Sequence, residues 1–165
     1  MTIPIDNIIT TDSPIGRLEV TSAGTHITSL AIERGGRLPH DDLPEKSNAL
    51  LQRAVRQLAE YFDGSRRTFA LPLAFTGTAF QRSVWQRMAR LHWGECLSYG
   101  ALAVESGHPG ANRAVGAAVA ANPIPLIVGC HRVLSSTGRV IGYTRGEGVP
   151  TKLWLLEHEG VTLAA

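Results

Sequence analysis

Cysteine is nearly absent: 165 residues carry only Cys96 and Cys130. Two thiols so far apart make no disulfide framework of the kind that holds small secreted domains together. Long apolar runs are missing too, and no stretch reaches the roughly 18 residues that cross a bilayer. The N-terminal stretch MTIPIDNIITTDSPIG lacks the basic-then-apolar order of a secretory signal. These gaps lead us to expect a cytoplasmic protein with free thiols and no membrane partner. His92, Cys96 and His108 are too scattered for a zinc site, so no metal is expected. Charged residues make up 18% of the chain against 44% hydrophobic, which excludes disorder and leaves one sizeable core or two small ones.

Acid is scarcest in the second half. Between Gln81 and Arg145, seven arginines stand against Glu95 and Glu105. The net charge of +2 hides this local excess, which suits contact with phosphates.

In chain order, Ile3 to Ile32 predicts short strands joined by turns at Ser13-Pro14-Ile15-Gly16 and Ala23-Gly24, with Ile8 and Ile9, then Leu18-Glu19-Val20, then Ile27, Leu30 and Ile32 as strand residues. Gly35 to Ser47 reads as an exposed loop. Ser47 or Asn48 caps a helix whose apolar positions Leu50, Leu51, Val55, Leu58, Tyr61 and Phe62 fall at helical spacing until Asp63-Gly64. Phe69 to Phe75, with Pro72 inside it, is an edge strand or a linker, and Gly77 marks a domain boundary. Thr78 caps a second helix, with Phe80, Val84, Trp85, Met88 and Leu91 on one face, ending near Trp93-Gly94. Ser98 caps a short helix containing Tyr99, Leu102 and Val104. After the turn at Gly107 to Gly110, a third helix spans Ala111 to Ala121.

This pair of short helices resembles a helix-turn-helix, but its second member is almost all Ala, Gly and Val. A helix that reads the major groove needs long polar side chains. A small-residue face suits a minor groove, with Arg113 to insert, and equally suits a buried packing helix. Ser135 to Gly138 predicts a hairpin turn and Arg139 to Tyr143 a strand, a small ribbon that would make this half a winged helix; a last helix holds Leu153 to Leu156 and closes on Glu157-His158-Glu159-Gly160.

Between these lies NPIPLIVGCHRVL, residues 122 to 134. Its apolar run, Ile124 to Val128, is of the β type and delivers Cys130, His131 and Arg132. Thiols attack as thiolates, and a neighbouring base or cation favours that form. A core cysteine followed by two surface residues is the plainer reading of such a trio.

The motifs PIGRL, FQRSVWQRM, YG at Tyr99, PGANRAVGAAVAANPIPLIV, CHRV, GYTRG and WLLEHEG, in this order, resemble O6-alkylguanine-DNA alkyltransferases of the Ogt/AGT type, the methylated-DNA--protein-cysteine methyltransferases. The resemblance covers nearly the whole chain. It implies an α/β (α+β) protein: a ribonuclease-H-like N-terminal domain with a small antiparallel sheet, residues 1–76, and a C-terminal winged-helix (helix-turn-helix) domain, residues 77–165. It implies repair of O6-alkylguanine, and of O4-alkylthymine, in double-stranded DNA by irreversible transfer of the alkyl group to Cys130, with no cofactor. The expected assembly is a monomer, with self-association on DNA left open.

By resemblance the catalytic set is Cys130, His131, Glu159 and Tyr99, with Glu159 preferred over Glu157 as the carboxylate behind His131. Arg113 enters the space left by the flipped base, and Ser98, Ala111, Asn112, Ala114 and Gly116 complete the DNA face. Asn122 braces the cysteine loop. Pro125, Val128, Tyr143 and Thr144 shape the pocket, where a Thr144 hydroxyl meets O6. Family members usually have proline before the cysteine; Gly129 here is expected to loosen φ at that point. Arg145 replaces a common glycine and is expected to add charge at the pocket rim. Alternatives left open are a non-reacting lesion sensor, a winged-helix DNA-binding regulator and a cysteine hydrolase.

Overall fold

The computed structural model describes residues 4–163, so the expectation for Ile3 falls outside the described residues. Three antiparallel strands come first: β1 (Asn7–Thr11), β2 (Leu18–Ala23) and β3 (His26–Ile32), in that spatial order. Gly16 and Gly24, both at positive φ, turn the chain between them as only glycine does at low cost. The central strand β2 is buried on both faces, Glu19 included, and that carboxylate is satisfied by the His40 backbone N–H at 2.9 Å and by His40 Nδ1 at 2.8 Å.

Helix α1 (Ala49–Asp63) covers the sheet with Leu51, Ala54, Leu58 and Tyr61. Asn48, rather than Ser47, is its cap: Oδ1 accepts from Leu51 N at 2.8 Å, and Gly64 ends the helix in the left-handed region. The extended segment after α1 adds one bridge to the sheet edge, Ile27 with Leu73, held by two backbone hydrogen bonds. It is a linker pinned at one point.

Helix α2 (Ala79–Met88) starts in a reciprocal capping box between Thr78 and Gln81. It stops at Met88, short of the predicted end near Trp93; Leu91 stays buried, but in the loop that follows. Strand β4 (Leu97–Ser98) leads into α3 (Tyr99–Glu105), then α4 (Asn112–Ala120). Trp85 Nε1 donates to Ala118 O at 2.7 Å and fastens α2 to α4.

Two predicted strands are absent among the described residues. Ile124 to Val128 forms tight turns: Pro123 and Pro125 offer no backbone N–H to a ladder, and the Asn122 side chain takes up the polar groups a strand would have paired. Full burial, not strand pairing, explains the apolar run. Arg139 to Tyr143 is likewise no strand. The turn before it closes through Ser135 N to Arg139 O at 2.9 Å, but β5 (Val133–Leu134) pairs in parallel with β4 instead. Lys152 Nζ caps Val133 O and Gly142 O, carbonyls a ribbon would have used. Helix α5 (Val149–His158) closes the fold.

Candidate active site

The β4–β5 pair brings the site together. Leu97 sits opposite Val133 and Ser98 opposite Leu134, so the start of α3 lies beside the 3-10 turn Cys130–Arg132. Asn122, fully buried, holds the approach to that turn: Nδ2 donates to Val128 O at 2.9 Å and Oδ1 accepts from Ile124 N at 3.0 Å. Two three-residue turns follow. Pro125 O accepts from Ile127 N around Leu126, whose φ is +73°, and Val128 O accepts from Cys130 N around Gly129. Gly129 has φ −75° and ψ +67°, an inverse γ-turn open to most residue types. At this φ glycine's freedom is not used, and what glycine supplies is space, since a Cβ would stand 2.9 Å from Arg132 Cδ.

Cys130 is 2% exposed and lines a cavity of about 240 Å³ with Tyr99, Gly116, Tyr143, Thr144 and Lys152. Its Sγ lies 3.5 Å from the Tyr143 hydroxyl. Burial, then the charge of a Cys130 thiolate, raises the Tyr143 phenol well above its ordinary range, so it remains a donor. The same two causes raise Tyr99. Lys152, fully buried, sits 5.7 Å from the Tyr143 ring centre; burial pushes its pKa down while charge on Cys130 pulls it up.

Behind the thiol, His131 Nε2 meets Glu159 Oε2 at 2.7 Å, both side chains fully buried. Facing a carboxylate, that nitrogen carries the ring proton, and Nδ1 is left without a partner among the described residues. Burial lowers the His131 pKa despite Glu159, so the resting ring is neutral with its Nδ1 lone pair free. Arg132 donates to Glu159 through Nε and Nη2, both at 2.9 Å, and to Leu91 O at 2.7 Å. Burial works against the Glu159 charge, but His131 and Arg132 outweigh it and hold the carboxyl well below the usual carboxylate range. Glu157 is exposed and takes no part.

The structure places the remaining expected residues on two surfaces. Arg113, Asn112 and Ala114 lie on the exposed side of α4, while Val115, Ala118 and Val119 face inward, so the helix is both a packing element and a small-residue surface. Ala111 precedes α4 without a side-chain cap, and Gly116 lies against the Tyr99 ring. The Ser98 hydroxyl is occupied in capping α3. Pro125 and Val128, expected to shape the pocket, form a bridge within the turn and are not among the residues lining the cavity. Thr144 Oγ1 is 3.5 Å from Ala120 O. Arg145 lines the cavity, as expected, and its Nη2 also lies 2.6 Å from both Ala120 O and Asn122 O, at the C-terminal end of α4.

Sequence reasoning missed the roles of Arg132, Lys152 and Tyr61. A lysine within the apolar VPTKLWLL run was the one available signal for Lys152.

Residues 8–75 match the family model for the ribonuclease-like domain of 6-O-methylguanine DNA methyltransferase, and residues 79–161 match its DNA-binding domain. The chain belongs to this family. A methylated-DNA--protein-cysteine methyltransferase of Mycobacterium leprae is 43% identical over 90% of this chain and 88% of its own length. A constitutive enzyme of that name from Bacillus subtilis is 36% identical over 93% and 94%. The crystal structure of Mycobacterium tuberculosis OGT in complex with DNA superimposes with a TM-score of 0.82 at 39% identity, covering 93% of this chain and 92% of that one. The mixed α/β architecture is that of this methyltransferase family, and among the described residues no helix is long and apolar enough to cross a membrane.

Proposed function

We propose that this chain repairs double-stranded DNA by moving an alkyl group from O6 of guanine, and from O4 of thymine, to its own Cys130. The observation that carries the proposal is the thiol in its cavity, backed by a neutral His131 whose other nitrogen is committed to Glu159. The thiol of a cysteine only 2% exposed, set in a recess, does not reach a stacked base, so the base must turn out of the duplex. Arg113 on the outer side of α4 fills the space left behind, and the small residues Ala111, Ala114 and Gly116, with Asn112, let the backbone approach the minor groove.

In the transfer, His131 Nδ1 takes the thiol proton through a bridging water, and Glu159 steadies the imidazolium. Sulfur attacks the alkyl carbon, the carbon–O6 bond breaks, and its electron pair passes into the purine. Tyr99, kept protonated, donates its proton to the leaving base and regains one from solvent, to which the imidazolium gives up the proton taken from the thiol. The thioether so formed would have to expel a thiolate to give the alkyl group up again, and no residue at the site offers a route for that, so each molecule acts once. Neither metal nor soluble cofactor enters, because DNA supplies the alkyl group.

The Cys130→Ser variant tests this reading. It should bind an O6-methylguanine duplex with near-wild-type affinity and leave the methyl group on the DNA; methyl transfer by that variant would overturn the assignment.

A further inference from the structure

The Glu159 carboxylate accepts five hydrogen bonds, and one donor comes from the first half of the chain. His131 Nε2, Arg132 Nε and Nη2 and the backbone N–H of Gly94 account for four. The fifth is the hydroxyl of Tyr61 on α1, 2.7 Å from Oε2, the same oxygen that meets His131. Tyr61 is fully buried, and its ring is wedged between Phe62, Phe69, Trp93 and His158, with centroids 5.2 to 5.6 Å away. His158 Nε2 lies 2.8 Å from Tyr61 O, so the ends of α1 and α5 hold each other. A buried phenol needs some acceptor. That this one shares an oxygen with His131 couples it to the proton acceptor.

We propose that Tyr61 is a positioning residue for alkyl transfer: its hydroxyl fixes the rotation of the Glu159 carboxylate and takes a share of the charge on Oε2, so α1 completes the hydrogen-bond chain that holds His131, the proton acceptor for Cys130. The proposal rests on the roles given above to Cys130 and His131. Its physical content is a competition. Donation from Tyr61 to Oε2 weakens what that oxygen offers an imidazolium, while it stops the carboxylate from turning away. The charged and titratable groups that face this cluster and the thiol are Tyr61 from α1, Cys96 before β4, Tyr99 from α3, Cys130, His131 and Arg132 from the 3-10 turn, Tyr143 before α5, and Lys152, His158 and Glu159 from α5 and its end.

Tyr61→Phe keeps the ring and deletes the donor. In full-length protein labelled with ¹⁵N-histidine, the variant should show the His131 Nε2–H resonance displaced and the His131 titration moved to higher pH, because Oε2 then serves only His131 and Arg132 Nη2. Single-turnover transfer from an O6-methylguanine duplex should slow about tenfold, the scale of one hydrogen bond to a charged group, with the acid limb of its pH profile moved up. Affinity for the lesion duplex should be unchanged. A fluorinated tyrosine at position 61, a stronger donor of nearly the same shape, should move the titration and the acid limb to lower pH, and covers the case in which the phenylalanine variant folds poorly. A purely structural hydroxyl would change thermal stability and leave the resonance, titration and profile as in wild type; that result overturns the proposal. Wild-type protein that binds lesion DNA without becoming methylated would overturn the proposed function instead, and the histidine titration, which uses no DNA, would still decide the role of Tyr61 in the chain.

Discussion

Arg132 lies across Gly129, so close that a Cβ on the glycine would stand 2.9 Å from Arg132 Cδ and 3.0 Å from Nη1. The arginine cannot swing away cheaply, since three of its nitrogens are bonded to Glu159 and Leu91. The residue before the thiol therefore bears on the carboxylate behind the base, through one buried side chain.

Gly129→Ala should consequently act through Arg132 and not through φ, which alanine tolerates there. We expect a loss of about 1–3 kcal/mol, the usual cost of overpacking, seen as a lower urea midpoint, together with slower alkyl transfer. A variant as stable and as fast as wild type would show that the Arg132 contact yields freely.

Asn122→Ala removes the partner of two buried backbone groups, Ile124 N–H and Val128 C=O. At about 1–3 kcal/mol for each group left unsatisfied, the variant should be strongly destabilised and its thiol less uniformly placed. Asn122→Asp keeps the acceptor for Ile124 N but loses the donor to Val128 O, so it should fall between wild type and alanine in urea unfolding.

Much of the scaffold was legible in the sequence because it is built by local chemistry. The Thr78–Gln81 box, the Gly64 stop and the apolar spacing of α1 each act within a few residues. The segment from Asn122 to Cys130 was not, since four buried apolar residues look the same whether they pair as a strand or fold over a side chain. The link from Tyr61 to Glu159 spans 98 positions, and nothing in the spacing of a packing helix shows that one of its rings carries a hydroxyl to another domain's carboxylate. The Cys-His-Arg trio announced chemistry, but the choice of Glu159 over Glu157 rested on resemblance until burial separated them.

Stability should decline with acid in two stages. His131 is kept neutral below its ordinary 6.5 by burial, so the unfolded chain takes that proton more readily and stability drops as pH falls under 6.5. Glu159, held below its ordinary 4.5, contributes fully above that value and loses its contribution as pH falls further. Urea midpoints measured across this range should show both stages. Glu159→Gln should be less stable at neutral pH, with a shallower decline in acid, and should slow transfer; Glu157→Gln should do neither. The reverse order would place the carboxylate role at Glu157.

Arg113→Ala should spare the chemistry and impair access to it. Repair of a duplex lesion should drop by ten-fold or more, on the scale of the few kcal/mol that base extrusion costs, while reaction with free O6-alkylguanine base stays near wild type. Equal losses on both substrates would mean that Arg113 supports the fold and not the opened duplex.

The central claim is that the sulfur at position 130 keeps the carbon it takes. Intact-mass analysis with peptide mapping, after incubation with an O6-methylguanine duplex, measures this directly. The account predicts a gain of one CH₂ unit, confined to the peptide holding Cys130, in an amount equal to the methyl lost from DNA. An unmodified Cys130 peptide in protein tightly bound to the lesion would contradict it and leave a sensor that recognises damage without repairing it.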